Sequence, residues 1–445
     1  MSDVTASQHK TWQQTVAAYG KPIMIAMLIL GFASGLPLMM VFSKLSFWLR
    51  DAGIERTTIG FFYWVTLSYT LKPLWAPVVD RTPIPFLDGW LGKRRAWMMV
   101  AILGTVAGLS LIAFTDPSQG LILTAIGAFI LSYAGATLDI SIDAWRIESA
   151  PREEQANMAA AYVLGYRGAI MFSGFGLAIS EWTNWTVSFL VMAATMGVCA
   201  LLVMLMPEPE HAHREPDRQS FGKRVQTAIV EPFKQFWDRL GHWIVPVFLL
   251  VAFYRLSDFT MGVMASPLYS DIGFDRAIVG GIQSGPGVIA TIAGGFIGGV
   301  VAYRFGVLSA MVVGAVITFA TNAAFAFLAA TGTAESVGLL TLVISADNVA
   351  AGFVGTAFIA YLSSLTDPLN AATQYAVLSS LYALICKFIA GFSGLMADAI
   401  GYVNFFLVTA TYALPMAALI IFIMLRGSDA ARGISAPGAD PKPAE

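Results

Sequence analysis

Runs of about twenty mostly apolar residues recur from residue 22 to residue 425, parted by short polar breaks. Each run is long enough to cross ~30 Å of hydrocarbon as a helix. None alternates as the strands of a membrane barrel do. The pattern predicts an all-α membrane protein with twelve transmembrane helices, near 22–47, 58–79, 96–115, 121–144, 157–180, 185–206, 243–268, 277–301, 307–330, 337–361, 373–397 and 402–425. One long polar break, 207–241, stands at the centre. It begins as a charged, Pro-rich linker. From Phe221 it carries Val225, Ile229, Phe233, Phe236 and Trp237 on one side, as a helix lying in the membrane interface does. The expected organisation is a short N-terminal segment (1–21), a six-helix bundle (22–206), the linker (207–241), a second bundle (242–425) and a tail (426–445).

Six spans, a linker and six spans invite a search for duplication. Residues 51–60 read DAGIERTTIG and residues 271–280 read DIGFDRAIVG, so Asp, Gly, an acid, Arg and Gly recur at an offset of 220. The same offset carries Tyr162 to Tyr382, Arg167 to Lys387 and Phe172-Ser173-Gly174 to Phe392-Ser393-Gly394. Shared composition alone would not preserve charged positions. Two six-span halves have one orientation in the bilayer. They therefore form parallel repeats about an axis along the membrane normal, an arrangement that resembles the major facilitator transporters.

Charge orients the spans. Only 12% of residues are charged and the net charge is −2, which points to neither a nucleic-acid partner nor an acidic one. With the N-terminus placed inside, the outer segments hold only Arg50, Arg56 and Arg276; five cations fall within spans, and all other Lys and Arg lie on inner segments. The positive-inside rule then puts both termini in the cytoplasm. The N-terminus has no apolar signal region, and Cys199 and Cys386 lie inside apolar runs as packing residues, with no zinc or disulfide spacing.

The cations Lys44, Lys72, Arg167, Arg255 and Lys387 and the acids Asp139, Asp143, Asp258 and Asp347 lie within spans. An isolated charge at mid-bilayer costs ~2.5–3.5 kcal/mol. Nine exceed the ~5–15 kcal/mol by which a protein is stable unless most are paired or wet. They fall on spans 1, 2, 4, 5, 7, 10 and 11 and spare 3, 6, 9 and 12. In the major facilitator fold that the repeat resembles, those four are the lipid-facing outer helices and the charged spans line a central cavity. At ~1.5 Å per residue, Arg167, Arg255, Lys387 and Asp347 lie near the midplane, and Asp258 shares a helix face with Arg255 at i+3. The expected site is cationic and takes an anionic solute on Arg167, Arg255, Lys387 and Lys72. Asp139, Asp347 and Asp258 are candidate proton carriers, and Asp143 with Arg146 a candidate inner gate. The competing interpretation of each charge is a salt bridge that fixes packing. The Gly pairs Gly31/Gly35 and Gly281/Gly285 and the GGFIGGV stretch at 294–300 predict close helix packing. Pro37, Pro73, Pro77, Pro246 and Pro286 predict kinks.

Several segments resemble one family. LILGFASGLPL (28–38), IGFFYWVTLSYTLKPLWAPVVDR (59–81), LDISIDAWR (138–146), VLGYRGAI (163–170), YRLSDFTM (254–261) and ATQYAVLSSLYAL (372–384) are similar to the AmpG-type muropeptide permeases, inner-membrane major facilitator proteins. The resemblance covers spans 1–11, with acetyl-CoA transporters as more distant kin. It implies proton-driven import of anhydromuropeptides, with the proton gradient as energy source and no cofactor. Lys72, Asp139, Asp143, Arg167, Asp258 and Gln374 match positions associated with the family. Asp80 and Arg81 with Arg94 and Arg95 resemble the facilitator loop that closes the inner gate. This chain departs from the family at Leu138, where a Gln is expected, and at Lys44.

The expected protein is thus a monomeric transporter of a sugar-peptide, set in membrane lipid, with Tyr166, Tyr254, Trp64 and Tyr382 available to stack on the solute. A facilitator for another anionic solute, such as a CoA thioester, a peptide or a siderophore, fits the same cationic cavity. An intramembrane enzyme fits poorly. His9, His211, His213 and His242 lie outside the spans or at their edge, so no Ser–His pair or metal cluster assembles within the membrane.

Overall fold

The computed structural model describes residues 20–150, 152–209, 231–367 and 371–433. Among these the chain is helical with short connections. Eleven segments are long and apolar enough to cross a membrane. The twelfth, span 2, falls short because it is built in pieces over 56–81, with 3₁₀ turns at Tyr63–Thr66 and Lys72–Leu74, the second just before Pro77. Proline removes a backbone donor and crowds the preceding turn.

Several helix ends are set by local chemistry. The Asn184 side chain accepts from Val187 N at 2.9 Å to open span 6, and Asp275 accepts from Ile278 N at 3.0 Å to open span 8. Gly306, at φ 89°, turns the chain from span 8 into span 9, a left-handed backbone that favours glycine.

Several breaks fall on spans that carry buried charge or line the contact between halves. Span 1 passes through a π segment, Met40–Lys44, just after Pro37. Span 7 is interrupted at Tyr254-Arg255, between Ile244–Phe253 and Leu256–Ile272. Span 8 breaks at Gly285 before Pro286, and span 11 at Gly391-Phe392. Such breaks are tolerated in a bilayer only where neighbours or water satisfy the freed backbone groups.

Each half is packed by close backbone approach. A Cβ on Gly31 would lie 2.1 Å from the Tyr162 carbonyl oxygen, and one on Gly165 would lie 1.9 Å from that of Leu28, so spans 1 and 5 touch main chain to main chain. In the second half a Cβ on Gly294 would meet the Val349 carbonyl oxygen at 2.1 Å, which ties spans 8 and 10. The expected packing role of the 294–300 stretch is met there.

The linker helix is described from Glu231 to Leu240. It buries Phe236 and Leu240 in the second half and packs Phe233 at a tilt against Phe248, but leaves Trp237 exposed. Its expected continuation through Val225 and Ile229 lies outside the described residues.

The two halves meet at one end only. Among the described residues, every hydrogen bond and ion pair between them lies on the side of the connections at 51–56 and 272–276, or no deeper than Thr66 and Lys387. One apolar cluster draws on both halves at that end, and a second, toward the linker, belongs to spans 7–12 and the residues flanking them. The molecule is sealed at this end, called here the gate end, and parted at the linker end.

Candidate functional site

The gate end is built from the duplicated DAGIERTTIG and DIGFDRAIVG segments. Asp51 pairs with Arg276 at 2.9 Å and accepts from Trp185 Nε1 at 2.8 Å. Asp271 pairs with Arg50 and accepts from the Tyr402 hydroxyl at 2.7 Å. Arg276 also reaches Glu181 at 2.7 Å, while Arg56 reaches Asp398 at 2.8 Å. Asp51 and Asp271 therefore each bind an arginine of the other half and an aromatic of their own. Single exposed ion pairs contribute ~0–1 kcal/mol, but a network sharing arginines between acids holds more than its pairs taken singly.

Beneath the charges two glycine crossings close the seam. A Cβ on Gly394 would lie 1.7 Å from the Arg56 carbonyl oxygen, and one on Gly280 would lie 2.3 Å from that of Gly174. Gly60 and Gly280, and Gly174 and Gly394, are related by the offset of 220, so both crossings are copies of one contact. Trp64 stacks on Phe388 at 5.5 Å and donates to its carbonyl at 2.9 Å, and so belongs to this seam instead of to a solute site.

The midplane cations follow from these crossings. Arg167 lies seven residues from Gly174 on one continuous helix and shares its face two turns toward the linker end, while Lys387 lies seven residues from Gly394 across the Gly391-Phe392 break. Lys387 Nζ donates to the Thr66 carbonyl at 3.0 Å and lies 5.8 Å from the centre of the Tyr69 ring. Arg167 is half-buried and has no hydrogen bond or ion pair among the described residues. By the repeat offset it stands at the depth of Lys387, where the contacts between the halves end.

Around Lys387 lies a cluster contributed mainly by the first half. Asp139 accepts from Lys72 Nζ at 3.1 Å and from Ser34 Oγ at 2.5 Å, and Ser34 Oγ lies 2.6 Å from the Tyr162 hydroxyl. Lys387 interacts electrostatically with both Lys72 and Asp139, and Tyr166 with Asp139 and Arg167. The second half supplies a separate pair. Arg255 Nε meets Asp258 Oδ2 at 3.2 Å, as the i+3 spacing predicted, with Phe259 beside the guanidinium and Asp347 within electrostatic reach.

Two expected substrate residues are placed elsewhere. The Tyr254 hydroxyl donates to the Met311 carbonyl at 2.9 Å inside the second half, where the ring packs on Phe358. Its backbone lies at the span 7 break, but its side chain is turned into the bundle. Gln374 is 1% exposed, accepts from Asp367 N at 2.8 Å and donates to Gln235 at 2.7 Å. It ties the loop after span 10 to the linker helix.

The expected inner gate is a network within one half. Arg94 pairs with Asp80 at 2.8 Å and makes two hydrogen bonds to Glu148, at 2.9 and 2.7 Å. Glu208 accepts from the amides of Arg94 and Arg95 at 2.7 and 3.1 Å. Among the described residues Arg146 pairs only with Asp143, at 3.6 Å, and Asp143 is exposed. Neither reaches the other half among the described residues, and the Arg81 side chain lies outside them. Closure is at the opposite end, on acids and bases that sequence reasoning recorded only as a repeat. The signal was present, since both copies retain their Asp and Arg. Ser34 carried none, because a serine in an apolar run reads as packing.

The chain matches the Major Facilitator Superfamily model over residues 23–391. It is 33% identical to Putative transporter AmpG 4 of Rickettsia conorii (strain ATCC VR-613 / Malish 7), covering 89% of this chain and 95% of that one. It belongs to the AmpG-type transporters of the Major Facilitator Superfamily. The anhydromuropeptide permease of Escherichia coli (strain K12) is 31% identical over 93% of this chain and 82% of its own length. Among solved structures, nucleoside transporter NupG superposes with a TM-score of 0.66 at 15% identity, over 91% of this chain and 99% of that one. A bacterial homolog to the human lysosomal transporter Spinster, inward-facing and occupied, gives 0.65 at 16% identity, over 96% and 100%. At such identities these two carry the fold alone. This AmpG-type chain is therefore an integral membrane transporter for a small molecule, and not an enzyme.

Proposed function

We propose that this transporter imports anhydromuropeptides across the bacterial inner membrane by alternating access, coupled to protons and using no cofactor. The similarity to a permease of that name along almost the whole chain carries the substrate assignment. The distribution of Lys and Arg puts the gate end in the periplasm and the linker end, with both termini, in the cytoplasm. The conformation is then inward-open, with Arg167 offered to the acidic groups of a sugar-peptide.

Coupling follows from the Lys72–Asp139 pair. At 3.1 Å the carboxylate neutralises the ammonium. A proton on Asp139 removes that charge and leaves Lys72 free for the anion, so proton and solute bind together. Ser34 and Tyr162 hold the carboxyl in place. Asp258, paired to Arg255, and Asp347 remain rival carriers. Lys44 and Leu138 depart from the family pattern and favour a second reading, another anionic solute. Competition by a CoA thioester or a siderophore against labelled anhydromuropeptide separates the two.

The test is uptake of labelled anhydromuropeptide into proteoliposomes with and without a pH gradient, acid outside. One pH unit drives one coupled proton by about 1.4 kcal/mol, about tenfold in the solute ratio. Accumulation of that order is expected. No uptake in either condition removes this substrate, and equal uptake in both removes the coupling.

A further inference from the structure

Lys44 is 3% exposed, and its ammonium donates to Gln283 Oε1 at 2.7 Å across the seam. It makes no ion pair among the described residues. An ammonium has three donors and carries a full charge, and burying one against a neutral amide is costly in a membrane protein unless the position serves a second state. Two acids of the gate end are already engaged elsewhere: Asp51 with Arg276 and Trp185, and Asp271 with Arg50 and Tyr402. The surrounding contacts are neutral, Ser43 to Ser266 at 3.2 Å and Ser284 to the Met171 carbonyl at 2.7 Å.

Lys44 also closes the π segment Met40–Lys44, an irregularity often found at functional positions. Gln283 and Ser266 both belong to the other half. When the gate end opens, Lys44 is therefore stripped of its partner. It becomes the first cation a solute meets below the gate arginines Arg50, Arg56 and Arg276, about 10 Å below Asp51 at 1.5 Å per residue.

We propose that Lys44 and Gln283 form an anion-capture subsite of the outward-open state. Lys44 binds a carboxylate of the entering solute, and Gln283 displaces that carboxylate from the ammonium as the halves close. The amide is a weaker ligand than a carboxylate but is fixed in place, so capture is followed by hand-over toward Lys387 and Arg255 instead of by trapping. The subsite adds an anion requirement that acts on entry and not on exit. It rests on the proposed import of an anionic sugar-peptide.

The experiment measures KM in both directions with anhydromuropeptide and with an analogue whose peptide carboxylates are amidated. Lys44→Gln should raise KM for uptake about tenfold, leave KM for exit within about twofold, and leave the amidated analogue unaffected. Lys44→Arg should restore most of the affinity. An equal change in both directions, or for both compounds, overturns the subsite. A second arm needs no solute and so separates failure of the subsite from failure of the substrate assignment. With Cys199 and Cys386 replaced by Ser, Lys44→Cys should react with a charged thiol reagent from outside once Asp271→Asn has loosened the gate. No reaction in that background overturns the proposal.

Discussion

Gly280→Val should reduce uptake about 100-fold, while its neighbour Gly281→Val leaves transport near the parent rate. A Cβ on Gly280 would lie 2.3 Å from the Gly174 carbonyl oxygen, whereas one on Gly281 would meet nothing within 4 Å. Both changes add the same volume to the same short helix, Arg276–Ser284, so propensity cannot account for a difference. The obstacle at Gly280 is backbone and cannot rotate away. Overpacking of that kind costs about 1–3 kcal/mol or more, and the upper part of that range is about 100-fold in the population of the closed gate. Gly394→Val, at the copied crossing, should behave alike, since its Cβ would lie 1.7 Å from the Arg56 carbonyl oxygen. A transporter that cannot close the gate end cannot complete its cycle, although it stays folded. Monodisperse elution with lost uptake is the expected pair of observations. Loss of both would make the glycines elements of folding alone, and normal uptake would mean that the crossings are not a gate.

Asp139→Asn should abolish pH-driven accumulation and spare counterflow exchange. The amide keeps an acceptor for Ser34 and removes the charge that holds Lys72 at 3.1 Å. It imitates the protonated acid permanently, so the solute still binds and the loaded carrier still turns. The unloaded return, which needs a proton to leave, loses its driving force. The tenfold ratio per pH unit should fall to one. If accumulation survives, the carrier is another acid, with Asp347 and Asp258 the next to replace. If exchange is also lost, Asp139 serves solute binding or packing and not coupling.

The twelve spans and the duplication were legible because hydropathy, proline positions and repeated charges are properties of one chain segment at a time. The Arg255–Asp258 pair was legible for the same reason, since three residues on one helix fix a face. Pairs across the halves were not. That Asp51 meets Arg276, or that Lys387 finds the Thr66 carbonyl, depends on how helices distant in sequence cross. The glycine crossings set that geometry, and their effect is visible only once both partners are placed. Tyr254 and Gln374 show the other limit. Neither an aromatic side chain near the midplane (Tyr254) nor a match to a family position (Gln374) fixes where a side chain points, and here both are turned into packing. The cross-half pairs of the gate end were not legible either: both copies of the repeat retain their Asp and Arg, but which acid meets which base depends on how the halves face each other.

The central claim is that a solute path runs between the halves, open at the linker end and lined by Arg167. Its most direct test is Arg167→Cys with Cys199 and Cys386 replaced by Ser, probed by a charged, membrane-impermeant thiol reagent from each side. The path predicts rapid reaction from the cytoplasmic side, slow reaction from the periplasmic side, and slowing by added anhydromuropeptide. A cysteine that reacts from neither side, or only with lipid-soluble reagents, would place Arg167 against protein or acyl chains and contradict the account.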